Sequence, residues 1–186
     1  DPVRYLTNHS SGKMGYAIAH EAMLRGADVT LISGPVSLPA APFVRLRNIT
    51  SAADMFEAIR EEIDDTDILI KAAAVADYRP AQVADQKIKK GLSGQGNPIA
   101  GTEDTGMSIP LARTQDILGW VAQNRHPGLF VCGFSMETEN LLANSSKKLT
   151  KKKLDMIVAN SLRTAGAGFG VDTNVVTLIT KDGAQE

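Results

Sequence analysis

Short apolar runs alternate with helix-period segments along the chain, and this alternation constrains the fold more than any other feature. Residues 27–33 (ADVTLIS) and 67–76 (DILIKAAAVA) are nearly continuous apolar runs, typical of buried parallel strands. Apolar residues at helical spacing occupy 13–25 and 52–63, the second helix beginning at a Ser51 capping signal. Because strands and helices follow each other through short links, right-handed crossovers are expected. The pattern predicts an α/β fold, a three-layer Rossmann-like sandwich around a mostly parallel central sheet.

The rest of the chain continues this scheme. Further strands and helices are predicted at residues 44–49 (strand), 116–124 (helix), 129–134 (strand), 138–153 (Lys-rich helix), 156–159 (strand) and 175–180 (strand). We expect the last strand to form a late β-ribbon with the residues that follow Gly183. The glycine-rich segment 91–106 predicts a flexible flap within about 85–113, although an inert surface loop fits as well.

The length of 186 residues, with 43% hydrophobic and 22% charged residues, fits a single domain over 1–186 that buries a core. The chain opens at Asp1 on loop-like residues, whereas a parallel sheet usually begins with a strand. We therefore expect the first strand and the C-terminal end of the domain to be missing.

Charge and cysteine content exclude several classes of function. The net charge of -1 gives no global field for nucleic acid or for an anionic membrane surface. Apolar runs fall well short of the roughly 20 residues that span a bilayer, and the single cysteine, Cys132, suits a reducing compartment. We expect a cytoplasmic protein that binds neither nucleic acid nor a membrane.

Residues 8–15 (NHSSGKMG) place polar and small side chains where the first helix begins. A helix amino end offers unpaired N–H groups to an anion, and glycine lets a ligand approach the backbone closely. A Walker A loop would need glycine and serine or threonine where the chain has Thr7 and Met14. The segment therefore predicts a phosphate site without identifying the phosphate.

A dinucleotide fingerprint fits this segment only at Gly12 and Gly15. Such a site also needs an acidic residue at the end of the second strand, and this strand ends in Ser33, Gly34 and Pro35. A lone G-x-x-G is weak, and close helix packing at Gly15 explains it equally well.

Six segments, in a fixed order, carry a resemblance to a known family. They are DPVRYLTNHSSGKMG at 1–15, ADVTLISGPVSLPAAP at 27–42, AAAVADYRP at 72–80, KIKK at 87–90, GFSMETEN at 133–140 and KKKLDMIVAN at 151–160. With these segments the chain resembles the phosphopantothenoylcysteine synthetases, in particular the synthetase half of bacterial bifunctional proteins that also carry a flavin-dependent decarboxylase.

The resemblance implies phosphopantothenate-cysteine ligase activity in coenzyme A biosynthesis. CTP would activate the carboxylate of 4′-phosphopantothenate as an acyl-cytidylate, and L-cysteine would then give phosphopantothenoylcysteine, CMP and pyrophosphate. It further implies Mg²⁺ with the CTP, FMN only in a fused decarboxylase and not in this chain, and a homodimer. The alternatives are an NAD(P)-binding Rossmann oxidoreductase and a non-catalytic nucleotide-binding module.

The resemblance also implies roles for individual residues. Asn8 and Lys87 are the expected catalytic residues, and Lys87 also binds the nucleotide. The other expected nucleotide-binding residues are Ser10, Gly12, Gly15, Asp77, Asp116, Ile117, Leu118, Phe134, Lys148, Lys152 and Asn160. The expected substrate-binding residues are Arg4, Asn8, Ala73, Ala74 and Asp77, with Arg4 reaching the substrate phosphate of the neighbouring subunit.

Within this scheme, the backbone atoms of residues 116–118 contact cytosine, and Phe134 lies beside the base. Lys148 and Lys152 form a basic pair on one helix face. Taken without the family, a lysine-rich helix end is usually a solvated face. No carboxylate cluster with ligand spacing stands out and the histidines show no metal-ligand spacing, so the metal ligands are left unassigned. Cys132 is expected to be a small buried hydrophobe.

Overall fold

Strands and helices alternate in the order that the apolar pattern predicts. The computed structural model describes residues 1–89, 108–137, 139–161 and 173–183. Its helices are α1 (Lys13–Leu24), α2 (Ala52–Glu62, continued by a 3-10 turn at Ile63–Asp65), α3 (Ile117–Asn124) and α4 (Leu141–Lys151). Its strands are β1 (Val29–Ser33), β2 (Val44–Asn48), β3 (Ile68–Lys71), β4 (Tyr78–Pro80), β5 (Leu111–Arg113), β6 (Phe130–Glu137), β7 (Met156–Ser161) and β8 (Val176–Thr180).

Parallel pairing dominates the sheets, which confirms a Rossmann-like α/β fold. β1 pairs with β2 in parallel, with Val29 opposite Val44. A four-stranded sheet has the order β3-β6-β7-β8, in which β3–β6 and β6–β7 are parallel. The late strand β8 joins this sheet antiparallel to β7, with Met156 opposite Thr180, whereas we expected it to pair with residues after Gly183. Residues 184–186 lie outside the described part of the chain.

The chain divides into two compact units, and its organisation as a single synthetase domain stays a prediction. The larger unit comprises His9–Ala74 and Asp116–Glu186, and the smaller comprises Asp1–Asn8 and Val75–Gln115. The smaller unit contains an antiparallel β4–β5 ribbon that the sequence did not predict, with Tyr78 opposite Arg113. This ribbon includes the end of the predicted flap, while residues 90–107 lie outside the described residues.

In the larger unit the core is formed by the middle strands and the helices beside them. Val131, Cys132 and Ile157 are buried on β6 and β7. Phe56 of α2 meets Trp120 of α3 edge to face, with 5.3 Å between the ring centroids. The predicted capping box is confirmed, because Ser51 accepts from the Asp54 amide and Asp54 accepts from the Ser51 amide.

A buried carboxylate connects the amino ends of β6 and β7. Asp155 is 6% exposed and accepts hydrogen bonds from the Val131 amide (2.9 Å), the Arg125 guanidinium (2.8 Å) and the Lys181 ammonium (3.3 Å). Burial raises the pKa of Asp155, but the bonds from Arg125, Val131 and Lys181 outweigh it and hold the pKa below its ordinary value. Asp155 therefore joins three strand ends to α3 as an anion.

Strand β3 is shorter and more exposed than the apolar run 67–76 predicts. It ends at Lys71, and its Ile68 is 60% exposed. Alanine adds little packing area in a strand, so residues 72–76 (AAAVA) do not continue β3. The β3–β6 ladder ends at Lys71 and Gly133, while β6 continues beside β7 to Glu137. Among the described helices, none is long and apolar enough to cross a membrane.

Candidate functional site

The amino end of α1 is built around a glycine that its backbone requires. Gly12 precedes the helix with φ of 77°, a left-handed conformation that favours glycine, and has no side chain to cap the helix. A Cβ at this position would lie 3.0 Å from Cγ1 of Val36. The Lys13 amide donates to Ser11 Oγ at 3.4 Å, and neighbouring Ser10 is exposed. The exposed serines thus lead into a half-buried first turn, and a helix amino end of this kind can bind anions.

Gly15 lies in the first turn of α1, and protein packing does not explain it. A Cβ added there would lie 4.0 Å from Cβ of Ala72, an ordinary van der Waals distance. Close helix packing, the alternative explanation of this glycine, is therefore disfavoured. Next to Ala72, the exposed residues Ala73 and Ala74 follow the carboxyl end of β3, and Lys71 Nζ donates to the Ala73 carbonyl at 3.3 Å.

The end of β1 does not have the chemistry of a dinucleotide site. Ser33 is buried there, accepting a hydrogen bond from the Tyr16 hydroxyl at 3.1 Å and donating to the Gly34 carbonyl at 2.9 Å. A dinucleotide-binding domain uses an acidic side chain at this point to hold the ribose. The Tyr16–Ser33 contact instead closes the end of the strand against α1.

The carboxyl ends of β6 and β7 bring Phe134, Lys148 and Asn160 into one region of the sheet. Lys148 of α4 donates from Nζ to the Phe134 carbonyl at 2.8 Å. Asn160 is 5% exposed and lies opposite Met136 in the β6–β7 register. Open α/β sheets bind ligands at the carboxyl ends of their strands, so these residues lie where a ligand is expected.

The amino end of α3 carries the segment expected to contact cytosine. The Asp116 carboxylate caps the helix by accepting from the Gly119 amide at 2.9 Å and forms an ion pair with Lys152. Burial raises the pKa of Asp116, but the bonds from Lys152 and the Gly119 amide prevail and lower it overall. The side chains of Ile117 and Leu118 are buried, so contacts to a ligand here must come from backbone atoms.

A polar network at the end of β6 was not predicted. The Ser145 hydroxyl donates to Ser135 Oγ at 3.1 Å, and Ser135 donates to Glu137 Oε1 at 3.0 Å. Asn144 Nδ2 donates to the other Glu137 oxygen at 3.2 Å. The period-two spacing of Ser135 and Glu137, which places them on one face of a strand, was a usable signal in the sequence.

In the smaller unit, Arg4 and the segment around Lys87 are connected. Arg4 Nη2 donates to the Ile88 carbonyl at 2.9 Å, and Arg4 Nε donates to Asp1 at 3.0 Å. Asp1 also accepts from the Ile88 amide at 3.3 Å, and Lys87 is exposed beside this contact. The N-terminal segment thus holds the segment that carries the expected catalytic lysine.

The other two predicted residues of the smaller unit are both exposed. The Asn8 carbonyl accepts from the Thr7 hydroxyl at 3.3 Å. Asp77 precedes β4, and its carbonyl accepts from the Thr114 amide at 2.9 Å. Both side chains are thus accessible on the surface of this unit.

The described residues contain no group of three or more His, Cys, Asp or Glu side chains that could hold a metal ion. Cys132 is buried as predicted, and burial raises the pKa of its thiol to about 11. The thiol therefore stays protonated at neutral pH and packs as an apolar side chain.

Known proteins resemble this chain over its whole length. Residues 1–186 match the family model described as the DNA/pantothenate metabolism flavoprotein C-terminal domain. The coenzyme A biosynthesis bifunctional protein CoaBC of Vibrio vulnificus (strain CMCP6) is 45% identical over 184 residues, covering 98% of this chain and 43% of that protein. The CoaBC protein of Bacillus subtilis (strain 168) is 47% identical over 187 residues, covering 98% of this chain and 42% of that protein.

Among solved structures, the C-terminal domain of a CoaBC protein matches with a TM-score of 0.78 and 39% identity, covering all of this chain and 77% of that one. The Cab2 mutant H337A, in complex with phosphopantothenate-cysteine, shares the fold with a TM-score of 0.73 at 15% identity. This chain spans less than half the length of the curated relatives. The family match over every residue shows that the chain belongs to the DNA/pantothenate metabolism flavoprotein C-terminal domain family.

Proposed function

We propose that this chain is a phosphopantothenate-cysteine ligase that uses CTP in coenzyme A biosynthesis. The observation that carries the proposal is membership of the family over all 186 residues, at 45% identity to a coenzyme A biosynthesis protein. The amino end of α1 supports it. The backbone conformation favours glycine at position 12, whereas packing gives no reason for glycine rather than alanine at position 15. The Tyr16–Ser33 contact disfavours the alternative of an NAD(P) oxidoreductase.

The reaction would run in two balanced steps. A carboxylate oxygen of 4′-phosphopantothenate attacks the α-phosphorus of CTP, and pyrophosphate leaves. The amine nitrogen of L-cysteine then attacks the acyl carbon of the acyl-cytidylate, CMP leaves, and the amine gives up a proton. A carboxylate needs this activation because its oxygen is a poor leaving group until it becomes part of a mixed anhydride. The protein's task is to orient the reactants and to stabilise negative charge.

Residues of the larger unit would bind the nucleotide. Ser10, Gly12 and Gly15 offer small side chains and helix N–H groups to phosphate. The backbone of residues 116–118 would contact the base, with Phe134 and the buried Asn160 as further base or ribose contacts. Ala73 and Ala74 would admit the pantothenate arm beside the backbone.

The family resemblance gives Asn8, Lys87 and Asp77 roles toward the reacting groups. The Asn8 carboxamide would donate to the acyl oxygen without titrating. Lys87 would follow the negative charge of the phosphates as a mobile cation, and Asp77 would bind the substrate hydroxyl or nucleotide. In a homodimer, Arg4 would contact the phosphate of the substrate bound by the other subunit.

Mg²⁺ would accompany the triphosphate as its counter-ion. The described residues offer no cluster of protein ligands, so phosphate oxygens and water would supply most of its ligands. Lysine side chains of the protein would then neutralise the part of the triphosphate's negative charge that Mg²⁺ does not balance.

Pyrophosphate release tests the proposal. We expect release with CTP only when 4′-phosphopantothenate is present, and phosphopantothenoylcysteine only after L-cysteine is added. Release that is independent of phosphopantothenate, or the absence of product after cysteine addition, would contradict the proposed activity. A cytoplasmic location is expected for such an enzyme and is tested by fractionation.

The role of Asn8 has its own test. Asn8→Asp replaces an amide donor with a carboxylate, so acyl-cytidylate formation should continue while transfer to cysteine slows by about tenfold or more. The matched control is Gln123→Glu, which makes the same chemical change at an exposed position on α3. Equal loss of both half-reactions in Asn8→Asp would remove the role assigned to Asn8.

A further inference from the structure

A pocket lies at the amino ends of β6 and β7, at the opposite end of these strands from the residues expected to bind the nucleotide. Met156, at this end of β7, is four residues from Asn160 at the other end, which is about 13 Å along the strand. The pocket is open to solvent and has a volume of about 360 Å³. The residues of its lining that carry charge or apolar surface are Arg125, Leu149, Lys153, Leu154, Asp155 and Lys181.

Three cations and one carboxylate line this pocket. The cations are Arg125, Lys153 and Lys181, and the carboxylate is Asp155. Arg125 already balances the charge of Asp155 through a contact of 2.8 Å, while Lys181 reaches the same carboxylate at 3.3 Å and is 63% exposed. Three positive charges against one negative charge leave a surplus of two, and a concave surface with such a surplus attracts anions.

The cations keep hydrogen-bond donors that no described protein group uses. Arg125 Nη1 donates to the Lys153 carbonyl at 3.1 Å and to Asp155 at 2.8 Å, and Nη2 donates to Asp155 at 3.4 Å. The Nε–H group and one N–H group of Nη2 are left without an acceptor among the described residues. Lys153 is exposed, and its ammonium has no hydrogen bond or ion pair within the described part of the chain. These donors are therefore available to a ligand.

The backbone at Lys153 gives no reason for a lysine. The residue follows the end of α4 with φ of 50°, the left-handed conformation that favours glycine. The Lys153 amide donates to the Thr150 carbonyl at 3.2 Å and the Leu154 amide to the Leu149 carbonyl at 2.9 Å, so the main chain alone closes the helix. A glycine would fit this turn better, whereas an anion in the pocket would explain the lysine side chain.

We propose that this pocket is an anion site, separate from the one at α1, that binds the phosphate group of a small organic phosphate. Arg125 donates to the phosphate through its remaining N–H groups, and Lys153 and Lys181 contact it as mobile cations. Leu149 and Leu154 give the pocket an apolar wall, against which the carbon part of the ligand packs.

Amide NMR shows where an anion binds, because each amide reports on its own surroundings. We titrate the protein with inorganic phosphate and, separately, with propyl phosphate, in the absence of nucleotide. Both should shift the amide signals of Lys153, Asp155 and Lys181 saturably, while the signals of Gly12 and Lys13 report on the site at α1. Propyl phosphate should bind about threefold or more tightly than inorganic phosphate, because its methylene groups bury apolar surface. Equal affinities would overturn the assignment to an organic phosphate.

Substitutions of the lysines separate this site from general attraction between charges. Lys153→Gly should weaken propyl phosphate binding by about fivefold or more, and Lys181→Met by about threefold. Lys153→Gly should be at least as stable as the wild type in urea, because glycine is favoured at its backbone conformation. The matched control is Lys147→Met, which removes the same charge from an exposed position on α4 outside the pocket and should change the Kd by less than about twofold.

Three results would overturn the inference. One is the absence of saturable shifts at the pocket amides, and another is an equal loss of affinity in Lys147→Met and Lys153→Gly, which would indicate diffuse attraction only. The third is a destabilised Lys153→Gly protein with an unchanged Kd, which would assign the lysine to the fold. Should Lys153→Gly fail to fold, Lys181→Met compared with Lys147→Met decides in the same way. None of these measurements uses turnover, so their outcome is independent of the proposed ligase activity.

Discussion

Replacing Gly15 by alanine separates a ligand-binding role of this glycine from a packing role. An alanine Cβ at this position meets Cβ of Ala72 at 4.0 Å, an ordinary contact. Residue 15 lies within α1, where alanine is favoured over glycine by roughly 0.5–1 kcal/mol. The free energy of unfolding of Gly15→Ala should therefore equal or exceed that of the wild type by up to about 1 kcal/mol.

The same methyl group should weaken nucleotide binding. If the first turn of α1 contacts phosphate, Cβ occupies space that a phosphate oxygen needs, and one charge-assisted hydrogen bond worth about 1.5–3 kcal/mol is lost. The KM for CTP should then rise by roughly tenfold to a hundredfold. Gly15→Ala would therefore be as stable as the wild type but would bind CTP more weakly.

Urea unfolding followed by circular dichroism measures the stability, and pyrophosphate release measures the KM. Gly26→Ala is the matched control with the opposite pattern, because Gly26 has φ of 88° and open space around it. It should lose about 1–2 kcal/mol of stability and keep its KM for CTP. A destabilised Gly15→Ala protein with a normal KM would refute the reasoning and restore the packing explanation.

Three further results are expected. Asp155→Asn should lower the free energy of unfolding by about 2–3 kcal/mol, because Arg125 loses its buried anionic partner. Lys181, the other cation that contacts Asp155, is exposed, so Lys181→Met should lower the free energy of unfolding by less than about 1 kcal/mol in the same urea titration. Because folding lowers the pKa of Asp155, its stabilisation is complete above the unfolded value of about 3.9 and is lost as the pH falls through the folded pKa. The wild type should therefore lose more stability than Asp155→Asn on acidification to about pH 3, and equal losses would show that Asp155 does not titrate as described. Cys132 should resist Ellman's reagent at about pH 8 until the protein is unfolded in urea, since its thiol is buried with a pKa of about 11; rapid reaction of the folded protein would contradict that placement.

Local signals predicted most of the regular elements because they act within one turn or one strand. The capping box at Ser51 and Asp54, and the helical spacing from Lys13 onward, are decided by neighbours in sequence. The pairing of β8 with β7 depends on partners distant in sequence, and nothing within 175–180 specifies them. Likewise, β4 and β5 are three-residue strands with no period of their own, so only their pairing defines them.

The candidate site was predicted in part for the same reason. Glycines 12 and 15 were assigned to the site because a helix amino end has a local pattern, and their role in binding stays a prediction. The pairing of Lys152 with Asp116 joins residues 36 positions apart, so spacing alone indicated a solvated face, and only the family resemblance implied a role near the nucleotide. Residue spacing on a helix shows which side chains share a face, but not what that face meets.

The unequal lengths of β3 and β6 affect how this part of the chain tolerates mutation. Among the described residues, β6 beyond Gly133 has a ladder partner only in β7, and its other edge carries main-chain groups such as the Phe134 carbonyl that receives Lys148. A side-chain substitution cannot delete a main-chain carbonyl. Contacts along this edge should therefore survive drift in the side chains, whereas a proline or an inserted residue that moves the backbone would abolish them at once.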